Sequence, residues 1–487
     1  MQKRNADLLN EALDLHRQGR FDEAESRYKK LTWREPGSAA AFHALGALRI
    51  HQDRPAEACD LLARAAVIEP DNAEIRNALG TALTQLKQHD AAETELRQAL
   101  ALNPKLAEAH NNLSILLLRS QRPDDAVKHS RQATKLMPNS ADMAVNLGKA
   151  LRDTGRLGEA LATFETAVKL APDLAEAHFA VATIRLALGD FAKGWAGLEW
   201  RLRLPGFGFA LPDLGKPGWQ GDDLAGRTIL LHAEQGLGDT LQFLRYVPLV
   251  AARGGRVLLL VQPALKRLLA GLDGVEQVFG FGETLPDYDL HCPLMRLPRR
   301  FATTLDTIPP MPPLAAPAED AALWQERLSD GARPRIGLAW AGNPAHANDY
   351  NRSAPLAALA PLLAIEGVHW ISLQKEIPAG DAAALALQPG MSQPGEALTD
   401  LAATSGVIAA LDLVISVDTA AAHLAAAMAK PTWLLLPHSP EWRWLAGRDD
   451  SPWYPTARLF HQPKPGDWQA VAKEVGTALK DRFGGIR

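Results

Sequence analysis

The stretch AEIRNALGTALTQLKQHDAAETELRQALALNP, residues 73–104, sets the pattern for the N-terminal part of the chain. The proline that ends it belongs to a series in which each member follows the last by 34 residues: Pro36, Pro70, Pro104, Pro138 and Pro172. Small residues recur with the same period at two further positions: Ala12, Gly46, Gly80, Ser114, Gly148 and Ala182 at one, and Ala24, Ala58, Ala92, Ala126 and Ala160 at the other. A fixed period of this length predicts stacked pairs of antiparallel helices.

This period and these positions are typical of the tetratricopeptide repeat. Five repeats are regular, and a sixth helix pair begins at Ala175 but diverges, with Gly194 in place of the alanine and the added tryptophans Trp195 and Trp200. We therefore predict an all-α tetratricopeptide solenoid over residues 1–204. A solenoid offers a concave face suited to holding another protein chain.

After residue 204 the pattern changes to short apolar runs that alternate with helical stretches. TILLHA (228–233) precedes a glycine-rich turn and a predicted helix, DTLQFLRYVPLVAARG (239–254), and a second such unit starts at RIGLAWAG (335–342). The segment between them, TLDTIPPMPPLAAPAED (304–320), contains five prolines and is predicted to be a linker. The alternation predicts two α/β units with parallel sheets, over residues 205–314 and 315–487.

The composition is that of an ordinary globular protein, with 47% hydrophobic and 22% charged residues. A net charge of −4 gives no basic surface for nucleic acid, and the two cysteines, Cys59 and Cys292, do not form a disulfide framework. We recognise neither a secretory signal nor an apolar stretch of the roughly 20 residues that a membrane span needs. The expectation is a cytoplasmic protein without a membrane span.

The stretch ISVDTAAAHLAAAMAKPTWLLLP (415–437) resembles the signature of the heptosyltransferase family of glycosyltransferases. The matching residues are Asp418, Thr419 and His423, whereas Ala420 stands where the family usually has glycine. Two Rossmann-like units joined by a proline-rich linker resemble the GT-B fold, in which the C-terminal unit binds a nucleotide-sugar donor. The start of a helix at the end of a strand is also a ready anion site.

A second stretch, GLGDT (236–240), resembles the N-terminal glycine turn of the same family. The resemblance implies that Gly236 and Gly238 approach the donor and that Asp239 is the general base that deprotonates the acceptor hydroxyl. The alternative is that Asp239 caps the helix that follows the turn, and both roles are compatible.

Further donor-binding residues follow from the resemblance to tetratricopeptide-linked glycosyltransferases. The matching positions are Asn343, Arg352, Gln374 and Lys375, and Ser439 lies in a tryptophan-rich segment predicted to border the donor. The cations would offset the phosphates, so the resemblance implies a metal-independent enzyme with no cofactor beyond its nucleotide-sugar co-substrate. Asp287-Tyr288-Asp289 matches a metal-binding DxD pattern, but we predict no metal site there because the pattern belongs to a different fold.

Asparagines recur on the first helix of several repeats, and the ones predicted to bind the acceptor are Asn77, Asn111, Asn112 and Asn146. An inward-facing amide can hydrogen-bond any peptide backbone, because it carries both a donor and an acceptor. The O-GlcNAc transferases carry a similar, denser ladder. The alternative is that asparagine only suits an exposed helix surface.

These features predict a glycosyltransferase that moves a sugar from a nucleotide-sugar donor to a Ser or Thr hydroxyl of a protein held by the repeats. The arrangement is similar to that of bacterial flagellin glycosyltransferases, which implies flagellin as an acceptor and a donor that carries CMP. The heptosyltransferase-like motif does not decide between this donor and one that carries a nucleoside diphosphate. Two alternatives stay open: an enzyme acting on lipopolysaccharide or another glycan, and an inactive repeat scaffold.

Overall fold

The computed structural model describes residues 2–205, 214–329, 334–346 and 348–486, with side chains described from residue 5. The chain divides into two compact units, Met1–Asp173 and Leu174–Arg487. The first unit is helical and the second is mainly α/β. This order confirms the predicted fold class, helical repeats followed by two parallel α/β sheets.

The first unit consists of helix pairs that follow the 34-residue period. Their helices are α1 (Gln2–Arg17), α2 (Phe21–Arg34), α3 (Ala39–His51), α4 (Pro55–Ile68), α5 (Ala73–Gln85), α6 (His89–Leu102), α7 (Ala107–Arg119), α8 (Pro123–Leu136), α9 (Ala141–Asp153) and α10 (Leu157–Leu170). Side chains cap several of the first helices: Asn72, for example, accepts a hydrogen bond from the amide of Ile75 at 3.2 Å.

A small residue on the first helix of a pair admits a large one from the second. A Cβ atom added to Gly80 would lie 2.6 Å from Leu96 Cγ, closer than carbon atoms can approach. The fourth pair departs from this combination, because Ser114 and Ser130 occupy the two positions and their buried hydroxyls hydrogen-bond to each other. Ser130 stands where other pairs have a bulky residue, and Ser114 on the first helix is its hydrogen-bond partner.

The divergent sixth pair, α11 (Ala175–Ala187) and α12 (Phe191–Leu198), falls within the second unit. The second helix of this pair is short, and a 3₁₀ turn, Glu199–Arg203, continues it. Trp195 is buried there, and its indole Nε1 donates a hydrogen bond to the carbonyl of Thr303 at 2.9 Å. These two helices are therefore packed as part of the α/β unit.

The first sheet of the second unit is entirely parallel, with the strand order β3-β2-β1-β4 among the described residues. Its strands are β1 (Thr228–His232), β2 (Arg256–Val261), β3 (Gln277–Gly280) and β4 (Leu290–Pro293). Its helices are α13 (Leu237–Phe243), α14 (Val247–Ala251), α15 (Pro263–Leu269) and α16 (Leu297–Arg300). The helix predicted over 239–254 is interrupted by a 3₁₀ turn before Pro248, since proline cannot donate a backbone hydrogen bond.

The second sheet is also parallel, with the order β6-β5-β7-β8-β9 in the described part of the chain. Its strands are β5 (Arg335–Ala339), β6 (His369–Ser372), β7 (Leu413–Val417), β8 (Thr432–Leu436) and β9 (Ala457–His461). Its helices are α17 (Ala318–Arg327), α18 (Asp349–Arg352), α19 (Ala360–Leu363), α20 (Ala382–Ala386), α21 (Leu401–Ala409), α22 (Ala420–Ala427) and α23 (Trp468–Phe483). None of the helices in the described residues is long and apolar enough to cross a bilayer.

Candidate active site

The predicted donor-binding residues of the C-terminal half lie at one edge of the second sheet. Strands β6, β5, β7 and β8 are adjacent and parallel, so their carboxyl ends meet at the same edge, where ligands bind in open α/β sheets. The candidates follow these ends: Asn343 and Arg352 after β5, Gln374 and Lys375 after β6, Asp418 and Thr419 after β7, and Ser439 after β8. The topology therefore gathers residues that are up to about a hundred positions apart in the chain.

Asp418 and His423 form a hydrogen-bonded pair at this edge. His423 Nε2 lies 3.4 Å from Asp418 Oδ1, and His423 Nδ1 lies 3.0 Å from the hydroxyl of Tyr454. Burial by itself would raise the pKa of Asp418, but hydrogen bonding and attraction to His423 lower it on balance. The carboxylate of Asp418 is therefore ionised and held in a fixed orientation.

Thr419 is the N-cap residue of helix α22. Its Oγ1 accepts a hydrogen bond from the amide of Ala422 at 3.5 Å and lies 2.9 Å from the hydroxyl of Ser416. The hydroxyl thus satisfies the helix end, which is the usual task of threonine at this position.

Gln374 and Arg352 hold the loops around the edge in place. The side-chain amide of Gln374 bonds both backbone groups of Ala341, at 3.2 and 3.0 Å, and so fixes the turn that follows β5. Arg352 donates to the carbonyl of Asp418 at 3.3 Å and lies so close to Gly342 that a Cβ atom there would sit 2.4 Å from the guanidinium. The absence of a side chain at Gly342 thus leaves room for the guanidinium beside this turn.

The remaining donor candidates keep more of their polar atoms free. Asn343 is exposed, and its Oδ1 accepts one hydrogen bond from the amide of Ala345 at 2.9 Å. Lys375 is exposed, and Ser439 is half-buried; within the described part of the chain neither side chain has a hydrogen bond or an ion pair. Lys375 is thus a cation at the sheet edge that is available to an anionic ligand.

The glycine turn of the first sheet places Asp239 in the first turn of helix α13. Its Oδ2 accepts a hydrogen bond from the amide of Gly236 at 3.0 Å, so the predicted capping role is observed. Its Oδ1 accepts a hydrogen bond from Arg443, which follows β8 of the other sheet. Both oxygens of the predicted base are therefore engaged.

The two sequence motifs meet where helix α13 packs against helix α22. A Cβ atom added to Gly238 would lie 2.7 Å from His423 Cδ2, so the backbone of the glycine turn touches the histidine of the second motif. Glycine at 238 makes this approach possible. Asp239, the next residue in the chain, and Asp418 both interact electrostatically with Arg443.

Arg443 is the residue of this site that the sequence analysis missed. It is buried, it donates to both Asp239 and Glu441, and its guanidinium lies 4.5 Å from the centre of the Trp442 ring. Burial by itself would lower the pKa of Arg443, but the surrounding carboxylates, with Asp239 first among them, raise it on balance. The available signal was an arginine between two tryptophans in the segment EWRW (441–444), in the loop that follows β8.

The tryptophans of that segment have structural contacts. Trp442 is buried and packs edge-to-face on Trp195, with ring centres 5.5 Å apart, while Trp444 lies beside His423 at 5.3 Å. Trp453 packs on Phe191 of helix α12, with ring centres 5.8 Å apart. This cluster supports the walls of the site.

Both aspartates of the DxD pattern are paired with other residues of the region that contains the first sheet. Asp289 accepts a hydrogen bond from the amide of Thr228 at 2.7 Å, and Asp287 pairs with Lys216 at 3.0 Å. In the residues that the structure describes, no cluster of three or more His, Cys, Asp or Glu side chains has the arrangement of a metal site.

The predicted acceptor-binding asparagines form two pairs between alternate helices of the repeats. Asn112 donates to Asn77 at 2.9 Å and Asn146 donates to Asn111 at 2.8 Å, and all four are half-buried. Each amide has further hydrogen-bonding capacity, since it carries two donor hydrogens and two acceptor lone pairs.

Comparison with known proteins finds matches to two families in different parts of the chain. Residues 15–80, 49–114 and 117–184 match the tetratricopeptide repeat family, and residues 382–449 match glycosyltransferase family 9 (heptosyltransferase). The chain joins tetratricopeptide repeats to a segment similar to family 9 glycosyltransferases. The second match contains Asp418, Thr419, His423 and Arg443.

A curated relative, Protein FlbA of Caulobacter vibrioides, is 30% identical over 347 residues, which cover 63% of this chain and 55% of the relative. The chain thus spans about half the length of that protein. Among solved structures, Pseudomonas aeruginosa pilF aligns at 19% identity with a TM-score of 0.38, over 42% of this chain and 94% of pilF. TTC0263 of Thermus thermophilus aligns at 20% identity with a TM-score of 0.35, over 37% and 99%.

Proposed function

We propose that this protein is a glycosyltransferase that moves a sugar from a nucleotide-sugar donor to a hydroxyl of a protein acceptor. The observation that carries the proposal is the contact between the two motifs: Gly238 lies against His423, and Asp239 and Asp418 both interact with Arg443. A base on one α/β half and a donor site on the other are what a transfer between two bound substrates requires.

The donor site lies at the carboxyl ends of β5 to β8. Lys375 and Arg352 supply the positive charge for the phosphates, and Asp418 accepts hydrogen bonds from sugar hydroxyls. Because these cations take the place of a divalent ion in offsetting the leaving group, the reaction needs no metal. Transfer that stops when EDTA is added would contradict this part of the proposal.

A thermal-shift panel of UDP, GDP, ADP, CMP and CDP tests the donor site. One nucleotide should raise the melting temperature selectively, and Lys375→Ala should weaken its binding about tenfold because a charge-assisted contact is lost. Lys473→Ala is the matched control, since Lys473 is an exposed lysine on helix α23. A panel without any shift would favour the inactive scaffold.

The acceptor is a protein held through the asparagine pairs of the repeats, and flagellin is the first candidate because of the resemblance described above. The test is mass spectrometry of a flagellin incubated with the donor that the panel identifies. Asn112→Ala should reduce modification of the protein while leaving slow hydrolysis of the donor unchanged. Transfer to a glycan acceptor, with the protein unmodified, would overturn the acceptor assignment.

Loss of the base should slow the chemistry without abolishing binding of the nucleotide. We expect Asp239→Asn to reduce the transfer rate by about 10²–10⁴-fold. Full activity in this variant would show that another group removes the proton.

A further inference from the structure

Both oxygens of the Asp239 carboxylate accept a hydrogen bond in the structure. Oδ2 accepts from the Gly236 amide, and Oδ1 accepts from the Arg443 guanidinium. An acceptor hydroxyl that approaches Oδ1 has to compete with the guanidinium for this oxygen. The carboxylate is therefore open to the hydroxyl at Oδ1 only when Arg443 withdraws.

Arg443 is the donor that can withdraw. The amide of Gly236 is fixed at the start of helix α13, whereas Arg443 belongs to a short 3₁₀ turn, Trp442–Trp444, in the loop after β8. Arg443 also donates to Glu441, two residues away. It can therefore leave Asp239 and still keep its ion pair with Glu441. Moving a buried arginine in this way costs less free energy than leaving it without any partner.

The position of Arg443 favours a phosphate as the new partner. The residue follows β8 at the edge that carries Lys375 and Arg352, and it interacts electrostatically with Asp418. A guanidinium presents paired N–H groups that match phosphate oxygens, and such bonds are about as strong as those to a carboxylate.

We propose that Arg443 is a phosphate-binding residue, and that the phosphate of the bound donor draws its guanidinium away from Asp239, which frees this carboxylate to act as the base. The proposal rests on the proposed function, because it assumes a nucleotide donor at this edge. It makes the base available only when the donor is in place.

The test compares the affinity of the nucleotide identified by the panel for four proteins: wild type, Arg443→Met, Asp239→Asn and the double variant. Arg443→Met should weaken binding about tenfold, since it removes a charge-assisted contact. Asp239→Asn should tighten binding several-fold, because the nucleotide no longer competes with Asp239 for the guanidinium. In the Arg443→Met background, Asp239→Asn should change the affinity little.

Two controls keep the outcomes distinct. Arg448→Met removes a nearby exposed arginine that pairs with Asp450, and it should leave the affinity unchanged. Arg443→Lys keeps the positive charge and should restore part of the affinity; it also serves if Arg443→Met does not fold. An equal effect of Asp239→Asn in both backgrounds, or unchanged affinity in Arg443→Met, would overturn the inference and leave the donor site standing. Absence of nucleotide binding in wild type would overturn the proposed function and the inference together.

Discussion

The five regular helix pairs and the divergent sixth pair share one period but differ in how they pack. In three of the regular pairs a glycine lies on the first helix, and a Cβ atom on Gly148, for example, would be 2.6 Å from the ring of Phe164. In the sixth pair the glycine lies on the second helix, where Gly194 faces Leu186 and Gly197 faces Ala182. The 34-residue spacing therefore does not determine which helix of a pair carries the large side chain and which carries the glycine.

The sixth pair also has different partners. Its aromatic residues pack on segments of the α/β half, as Trp195 does on Trp442, and the amide of Ala446 donates to the carbonyl of Ala187 at 2.9 Å. These contacts hold the segment that carries Arg443. A helix pair with the spacing of a repeat thus supports the candidate active site.

The strongest way to break this arrangement is to remove Trp195. Trp195→Ala should lower the free energy of unfolding of the second unit by about 3–5 kcal/mol, because it opens a cavity and removes the bond to Thr303. Trp33→Ala is the control. This side chain is 82% exposed and lies in the first unit, so the free energy of unfolding of the second unit should change by less than about 0.5 kcal/mol.

Denaturation followed by tryptophan fluorescence checks both variants. All the tryptophans except Trp33 lie in the second unit, so the signal reports mainly on that unit. Equal stability of Trp195→Ala and wild type would show that the sixth pair does not support the α/β half.

The first sheet of the second unit contains a buried histidine, His232, whose charge depends on pH. His232, at the end of β1, lies 3.1 Å from His291 on β4, and burial followed by repulsion from His291 lowers its pKa to about 3. The unfolded chain has the ordinary value near 6.5, so it binds the proton while the folded state does not. The contribution of His232 to stability is therefore complete above the unfolded pKa and is lost as the pH falls from about 6.5 towards 3.

Between pH 8 and pH 5 this group should cost about 2 kcal/mol in the unfolding free energy of the second unit. His232→Gln should remove that part of the pH dependence, whatever its effect on stability at pH 8. The measurement is urea denaturation of both proteins at the two pH values. Parallel losses in the variant and wild type would contradict the prediction.

Two glycines of the same helix pair differ in the space around them. Gly148→Ala should destabilise the first unit by about 1–2 kcal/mol, because the strain against Phe164 exceeds the gain in helix propensity. Gly158→Ala, on helix α10 with no atom near its added Cβ, should stabilise it by up to about 1 kcal/mol. Thermal unfolding followed by far-UV circular dichroism measures both, and a shift of the same sign in the two variants would refute the argument.

The smallest effect concerns the serine pair of the fourth repeat. Ser130→Ala should cost about 1 kcal/mol, because it leaves the buried hydroxyl of Ser114 without its partner. The double variant Ser114→Gly/Ser130→Leu recreates the combination found at Gly80 and Leu96, and it should be more stable than Ser130→Leu alone. Additive effects in the double-mutant cycle would show that the two positions are independent.

Much of the architecture could be predicted because helices and strands produce patterns among residues that are close together in the chain. The period through Gly80 and Pro104 gives the helix pairs, and the apolar runs at 228–233 and 335–339 give strands. The motifs at Asp239 and Asp418 indicated the edges where the site lies. Their assignment to chemistry stays a prediction, since it came from resemblance.

The sequence by itself determined the elements and the types of residue at their ends, because helix and strand periods, caps and glycine turns act over a few positions. The tertiary structure decided which residues are in contact: Arg443 with Asp239, Gln374 with Ala341, and helix α12 with the segment that follows β8. These pairings join residues far apart in the chain, so they depend on strand order and helix packing. No local pattern contains that information, and for that reason a buried arginine between two tryptophans could be read as a site residue only in the folded protein.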